Sequence, residues 1–139
     1  MDPRDSWAFL IPGYLFTISI ETPILLAGLS PRHSLARRLF CGFWLTACTY
    51  PIVVLVLPMV FDVEKDRVRY LLVAESVAHF GECALFWAAF GTREEFGKLS
   101  MWRDLGTVFL ANLASFTAGE LLFVYRPDLL PDRIIHFFR

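Results

Sequence analysis

Glu75, His79 and Glu82 stand at positions i, i+4 and i+7 of the stretch AESVAHFGE, inside the apolar run YLLVAESVAHFGECALFWAAF. On a helix this spacing sets two carboxyl groups and an imidazole along one stripe. Such groups hold a proton, a cation, or the basic side chain of a partner helix. Apolar neighbours strengthen each of these by keeping bulk water away. Glu21, in SIETPILLAGL, and Glu120, in SFTAGELLF, are also acids in hydrophobic surroundings.

These acids have to be positioned by membrane helices. The chain has 139 residues, of which 56% are hydrophobic and 19% charged, and its apolar residues come in long blocks rather than scattered. A span needs roughly 20 apolar residues as helix, and four blocks qualify, at about 7–29, 39–61, 70–90 and 105–125. Backbone polar groups in hydrocarbon must be satisfied internally, which selects helices, and the alternating ten-residue segments of a transmembrane barrel are not visible. The expected fold is an all-α integral membrane four-helix bundle with short loops, forming one domain over residues 1–139. The leader MDPRDS, with two acids and a proline, predicts a retained first helix rather than a signal peptide.

The connections are short. SPRHSLARR at 30–38 opens with Ser-Pro, which stops one helix and lets the next begin. DVEKDRVR at 62–69 reads as a solvated turn, and 91–104 as a loop holding a short surface helix with Phe96 and Met101. The tail RPDLLPDRIIHFFR has interfacial character. Lys and Arg do not choose an orientation. Arg4, Lys65, Arg67, Arg69, Arg126, Arg133 and Arg139 fall on the side of the termini, and Arg32, Arg37, Arg38, Arg93, Lys98 and Arg103 on the other.

A charged residue at mid-helix costs about 2.5 to 3.5 kcal/mol on insertion scales, so four acids cost on the order of 10 kcal/mol unless they face one another, a partner or water. At 1.5 Å per residue, His79, Glu82, Thr49 and Tyr50 fall within about 3 Å of the midplane. Glu21 and Asn112 lie about 4 to 5 Å from it, on the side of Glu82. A proton- or ion-binding layer of Glu21, Thr49, Tyr50, His79, Glu82 and Asn112 is therefore expected. Glu75 and Glu120, about 7 Å toward the termini, would form an entrance. Pro23 and Pro51 free the carbonyls of Ser19 and Ala47, which map near the same depth. The structural alternative is interhelical glue, worth about 0.6 kcal/mol per hydrogen bond. Gly42 with Thr46, Ala78 with Gly81, and Ala111 with Ser115 and Gly119 would then supply close packing.

The order His79-x-x-Glu82 reverses the Glu-x-x-His of carboxylate-bridged bundles, and no second histidine shares a span. The one cofactor expectation is a divalent cation on Glu21, His79 and Glu82. Cys41, Cys48 and Cys83 form no CxxC and act as small hydrophobes. No phosphate loop, nucleophile elbow or HExxH is present, so no catalytic residue is predicted. A net charge of −1 offers no basic field for nucleic acid. The expected role is proton- or cation-binding transport or channel function in a lipid bilayer, as a homo-oligomer because one small bundle has little interior. The other role is an accessory or assembly subunit of a larger membrane complex, its acids pairing with a partner's Arg or Lys. By elimination the setting is a bacterial inner (plasma) membrane.

Overall fold

The computed structural model describes residues 3–61, 65–92 and 98–126, with side chains from Ser6 onward. The fold is all-α, with four helices: α1 Pro3–Gly28, α2 Leu35–Val60, α3 Arg67–Phe90 and α4 Leu99–Tyr125. Each is long and apolar enough to cross a membrane. α1 packs on α2 and α4, and α3 packs on the same two, so α1 and α3 occupy opposite corners of the bundle.

All four helices start before the expected spans, at Pro3, Leu35, Arg67 and Leu99. Arg67 and Arg69 belong to α3 rather than to the turn before it. Met101, expected on a separate surface helix, lies in the first turn of α4 and is buried, while Phe96 lies outside the described residues. The reason is a continuous inward stripe of Met101, Asp104, Val108, Ala111, Asn112 and Ser115. Its acid makes the first part look like loop until the acid's partners are known.

α2 is not uniform. After Pro51 the residues Ile52–Val56 form a π-helical turn before α-geometry resumes at Leu57. A proline breaks the hydrogen bond to the carbonyl four residues back, and a π-turn absorbs the resulting misfit. Ser19 and Ala47, whose carbonyls the prolines free, sit on exposed faces of their helices. They do not join a central polar layer as expected. Helix rotation, which depth alone does not give, carries them outward.

The two halves of the bundle differ. Toward the α1–α2 and α3–α4 connections, Leu25, Leu29, Cys41, Leu45, Phe86, Met101, Val108 and Ala111 make a closed core. Gly42 lets Thr22 approach, and Gly28 lets Thr107 approach. A Cβ at either glycine would collide with that threonine. Toward the termini the core shrinks to Tyr70 and Ala74 with a few partly buried neighbours.

A polar clasp locks the closed half. The Asp104 carboxylate, fully buried, accepts from Ser30 N at 2.6 Å and Ser30 Oγ at 2.9 Å. Arg32 Nη2 reaches it at 2.8 Å and His33 Nε2 at 3.0 Å. Arg38 donates to the carbonyls of Leu26, Ser30 and His33, and Arg103 to that of Gly28. The carbonyls of Leu26 and Gly28 are acceptors that the end of α1 leaves without helical partners, and those of Ser30 and His33 belong to the connection after it. Ser34 caps α2 by accepting from Arg37 N. Burial holds the His33 imidazole below its usual range, outweighing the pull of Asp104. The ring is therefore neutral at pH 7. Because a carboxylate only accepts, it is Nε2–H that donates, and Nδ1 has no partner among the described residues.

Two outcomes follow from the clasp. Asp104→Ala removes the acceptor that Ser30, Arg32 and His33 share and is expected to lower unfolding stability by about 3 kcal/mol, read by reversible denaturation in mixed micelles. The lowered His33 value means that the unfolded chain takes up its proton first as pH falls. Stability is thus expected to be full above the ordinary histidine range and to decline on acidification through it. His33→Gln should flatten that part of the pH profile.

Candidate functional site

Thr46 and Thr49 on α2, and Asn112 and Ser115 on α4, are two pairs at i, i+3, each on the inner face of its helix. Between them come one acid from α1 and one from α3. Glu21 accepts from Thr46 Oγ1 and from Ser115 Oγ, both at 2.6 Å. Glu82 accepts from Thr49 Oγ1 and from Asn112 Nδ2, both at 2.8 Å. Each diagonal helix is thus gripped by both of its neighbours. Glu21 is 1% exposed and Glu82 2%, and among the described residues no Lys or Arg forms an ion pair with either.

The single hydroxyl hydrogen of Ser115 faces two acceptors, Glu21 Oε1 at 2.6 Å and the Asn112 carbonyl at 2.9 Å. A proton on Glu21 would donate to Ser115 Oγ and release the serine hydrogen to Asn112, leaving every group paired. Each carboxyl group has about four lone-pair sites, of which two are used here. The layer can therefore accept a proton without losing a hydrogen bond.

Above this layer lies a cavity of about 340 Å³. Glu21, Thr46, Thr49, Glu82, Asn112 and Ser115 form its floor. Phe9, Phe16, Tyr50, Tyr70, Phe116 and Phe123 supply aromatic walls, with Glu75 and Glu120 nearer the termini. Below the floor the closed core of Leu25, Leu45, Phe86 and Val108 blocks passage. Tyr50 is in the wall, its hydroxyl resting where Gly13 has no Cβ. Its ring meets those of Tyr14 and Phe9.

His79 keeps Glu75 of its stripe, with Nδ1 3.5 Å from Glu75 Oε2, but stands apart from the central layer expected to include it. Its Nδ1 donates to the Glu75 carbonyl at 2.8 Å, its ring packs on Phe109 with centroids 4.5 Å apart, and its Nε2 has no hydrogen-bond partner among the described residues. It does not line the cavity. At 3.6 residues per turn, three residues rotate the side chain about 60° away from Glu82, which turns it toward α4. The metal set Glu21, His79 and Glu82 is therefore not assembled, and among the described residues no three His, Cys, Asp or Glu side chains converge to hold an ion.

Glu75 lines the cavity with its side chain 27% exposed. Glu120 lines it too, but both of its oxygens meet Arg67 Nη2 at 2.9 Å, and the guanidinium lies over Phe123. Arg67 carries no sequence signal for this role, since the charged stretch around it reads as a turn. Thr46 and Ser115 read from the sequence as packing residues. Their i, i+3 relation to Thr49 and Asn112 was the available signal.

No family model matches this chain, and no characterised protein or solved structure shows detectable similarity to it.

Thr46→Val and Ser115→Ala are each expected to lower stability by about 1 to 2 kcal/mol, the upper range for membrane hydrogen bonds and the lower range for bonds to charged groups. In a Glu21→Leu background each loss should shrink to a few tenths. A double-mutant cycle measures the difference.

Proposed function

We propose that the chain is a membrane protein that binds a proton or a cation at the Glu21–Glu82 pair and uses that binding for transport. The observation that carries this reading is two buried acids with no basic partner among the described residues, at the floor of a cavity. A layer serving only to hold helices together would gain most by closing around its hydrogen bonds, since empty volume forfeits packing. Here closure is confined to the far half. The proton place between Glu21 and Ser115 supplies an exchange partner: a cation arriving at the floor releases a proton, and a returning proton releases the cation. Glu75 stands along the route, and the Arg67–Glu120 pair sits at its outer end.

Passage across the membrane requires the far core to part while the near side closes, or a second copy to complete the path. A homo-oligomer fits so small a bundle, and a bacterial plasma membrane, with its standing proton gradient, fits the exchange. Flux of protons and cations into liposomes tests the reading. Glu21→Gln and Glu82→Gln are expected to reduce flux at least tenfold, whereas Glu120→Gln should retain a third or more. If the natural protein is folded and moves nothing, transport is excluded, and the accessory-subunit role becomes the reading to pursue.

A further inference from the structure

The cavity has a size and a lining that narrow what can reach the acids. A bare divalent cation needs six or more oxygens within about 2.6 Å. Two carboxyl groups already engaged by four side chains do not supply that shell. Water fares poorly as well. The volume, about 340 Å³, equals roughly ten water molecules at about 30 Å³ each, and each buried water needs two to four polar partners. Above the floor the walls offer chiefly aromatic and aliphatic carbon, with Phe16, Tyr50, Tyr70 and Phe116 prominent. Such walls favour an apolar body and, by their ring faces, a positive charge.

The floor is more selective. Glu21 and Glu82 each keep about two unused lone-pair sites after the bonds from Thr46, Ser115, Thr49 and Asn112. Only a ligand with several N–H or O–H donors fills them, and a positive charge there meets no basic competitor among the described residues. A quaternary ammonium has charge but no donor, and an alcohol has a donor but no charge. A primary ammonium has both, with three donors on one atom.

We propose that the cavity binds a primary ammonium compound with a compact apolar, preferably aromatic, body, its NH3+ group seated between Glu21 and Glu82. This rests on the cation-binding reading above and names the class of cation. The ammonium enters past Glu75, donates to the free lone pairs of both floor acids, and leaves its apolar part against Phe16 and Phe116. No bond is made or broken beyond proton exchange with the floor.

The test is calorimetric titration of the purified protein in lipid nanodiscs with three probes: 2-phenylethylamine, its N,N,N-trimethyl derivative, and 2-phenylethanol. The amine is expected to bind saturably at one site per chain, and the other two at least tenfold more weakly. Glu82→Gln, which keeps side-chain size, should weaken the amine at least tenfold and leave the alcohol unchanged. Ala78→Phe, which fills the cavity, should abolish binding while leaving the thermal unfolding profile in place. Equal affinity for all three probes would overturn the proposal, as would absence of amine binding to a folded protein. Liposome flux separates this from the broader reading. Proton flux that depends on Glu21 and Glu82, without amine binding, removes the amine and leaves proton binding intact. Absence of both removes both.

Discussion

Two buried acids without a basic partner among the described residues set the terms for the rest of this bundle. A carboxyl group in a water-poor interior is tolerable only when its oxygens are hydrogen-bonded or protonated. Glu21 and Glu82 lie on helices that do not neighbour each other in the square. The helices between them must therefore each donate to both acids. α2 does so through Thr46 and Thr49, and α4 through Asn112 and Ser115. Register along the bundle axis follows from this, because sliding either helix by one turn would strand two donors and two acceptors at once.

The division into a closed half and an open half follows from the same demand. A polar layer that keeps a cavity gives up packing contacts, so stability has to come from elsewhere in the bundle. On the side of the connections it comes from the Leu25–Phe86–Val108 core and from the Asp104 clasp. The clasp ties the α1–α2 turn to α4 through Ser30, Arg32 and His33. On the side of the termini the helices are held by less, chiefly Tyr70 with its hydroxyl on the Val53 carbonyl and the Arg67–Glu120 pair. The π-turn at Ile52–Val56 lies in that looser half. Motion that changes access to the cavity is thus expected at this end.

The spans were legible because length and apolar content in a bilayer decide them almost alone. Depth was legible too: counting residues placed Glu21, Thr49, Glu82 and Asn112 at one level, and the structure brings those four together. Rotation about each helix was not. His79 has the right depth but faces Phe109, and the carbonyls of Ser19 and Ala47 have the right depth on exposed faces. Partnership between distant segments was equally hidden. Asp104 and His33 read as loop residues, since nothing local reveals that one binds the other, and Arg67 gave no sign of reaching Glu120.

Under the proposed function the floor acids take up and release a proton rather than serve as fixed struts. Infrared difference spectroscopy of the purified protein, as pH is stepped across the neutral range, reads this directly. The expected result is a carbonyl-stretch band of a buried protonated carboxyl group that changes with pH and is lost or shifted in both Glu21→Gln and Glu82→Gln. A folded protein with no such band, or with one untouched by either substitution, would contradict it. Glu21 and Glu82 would then be structural residues only.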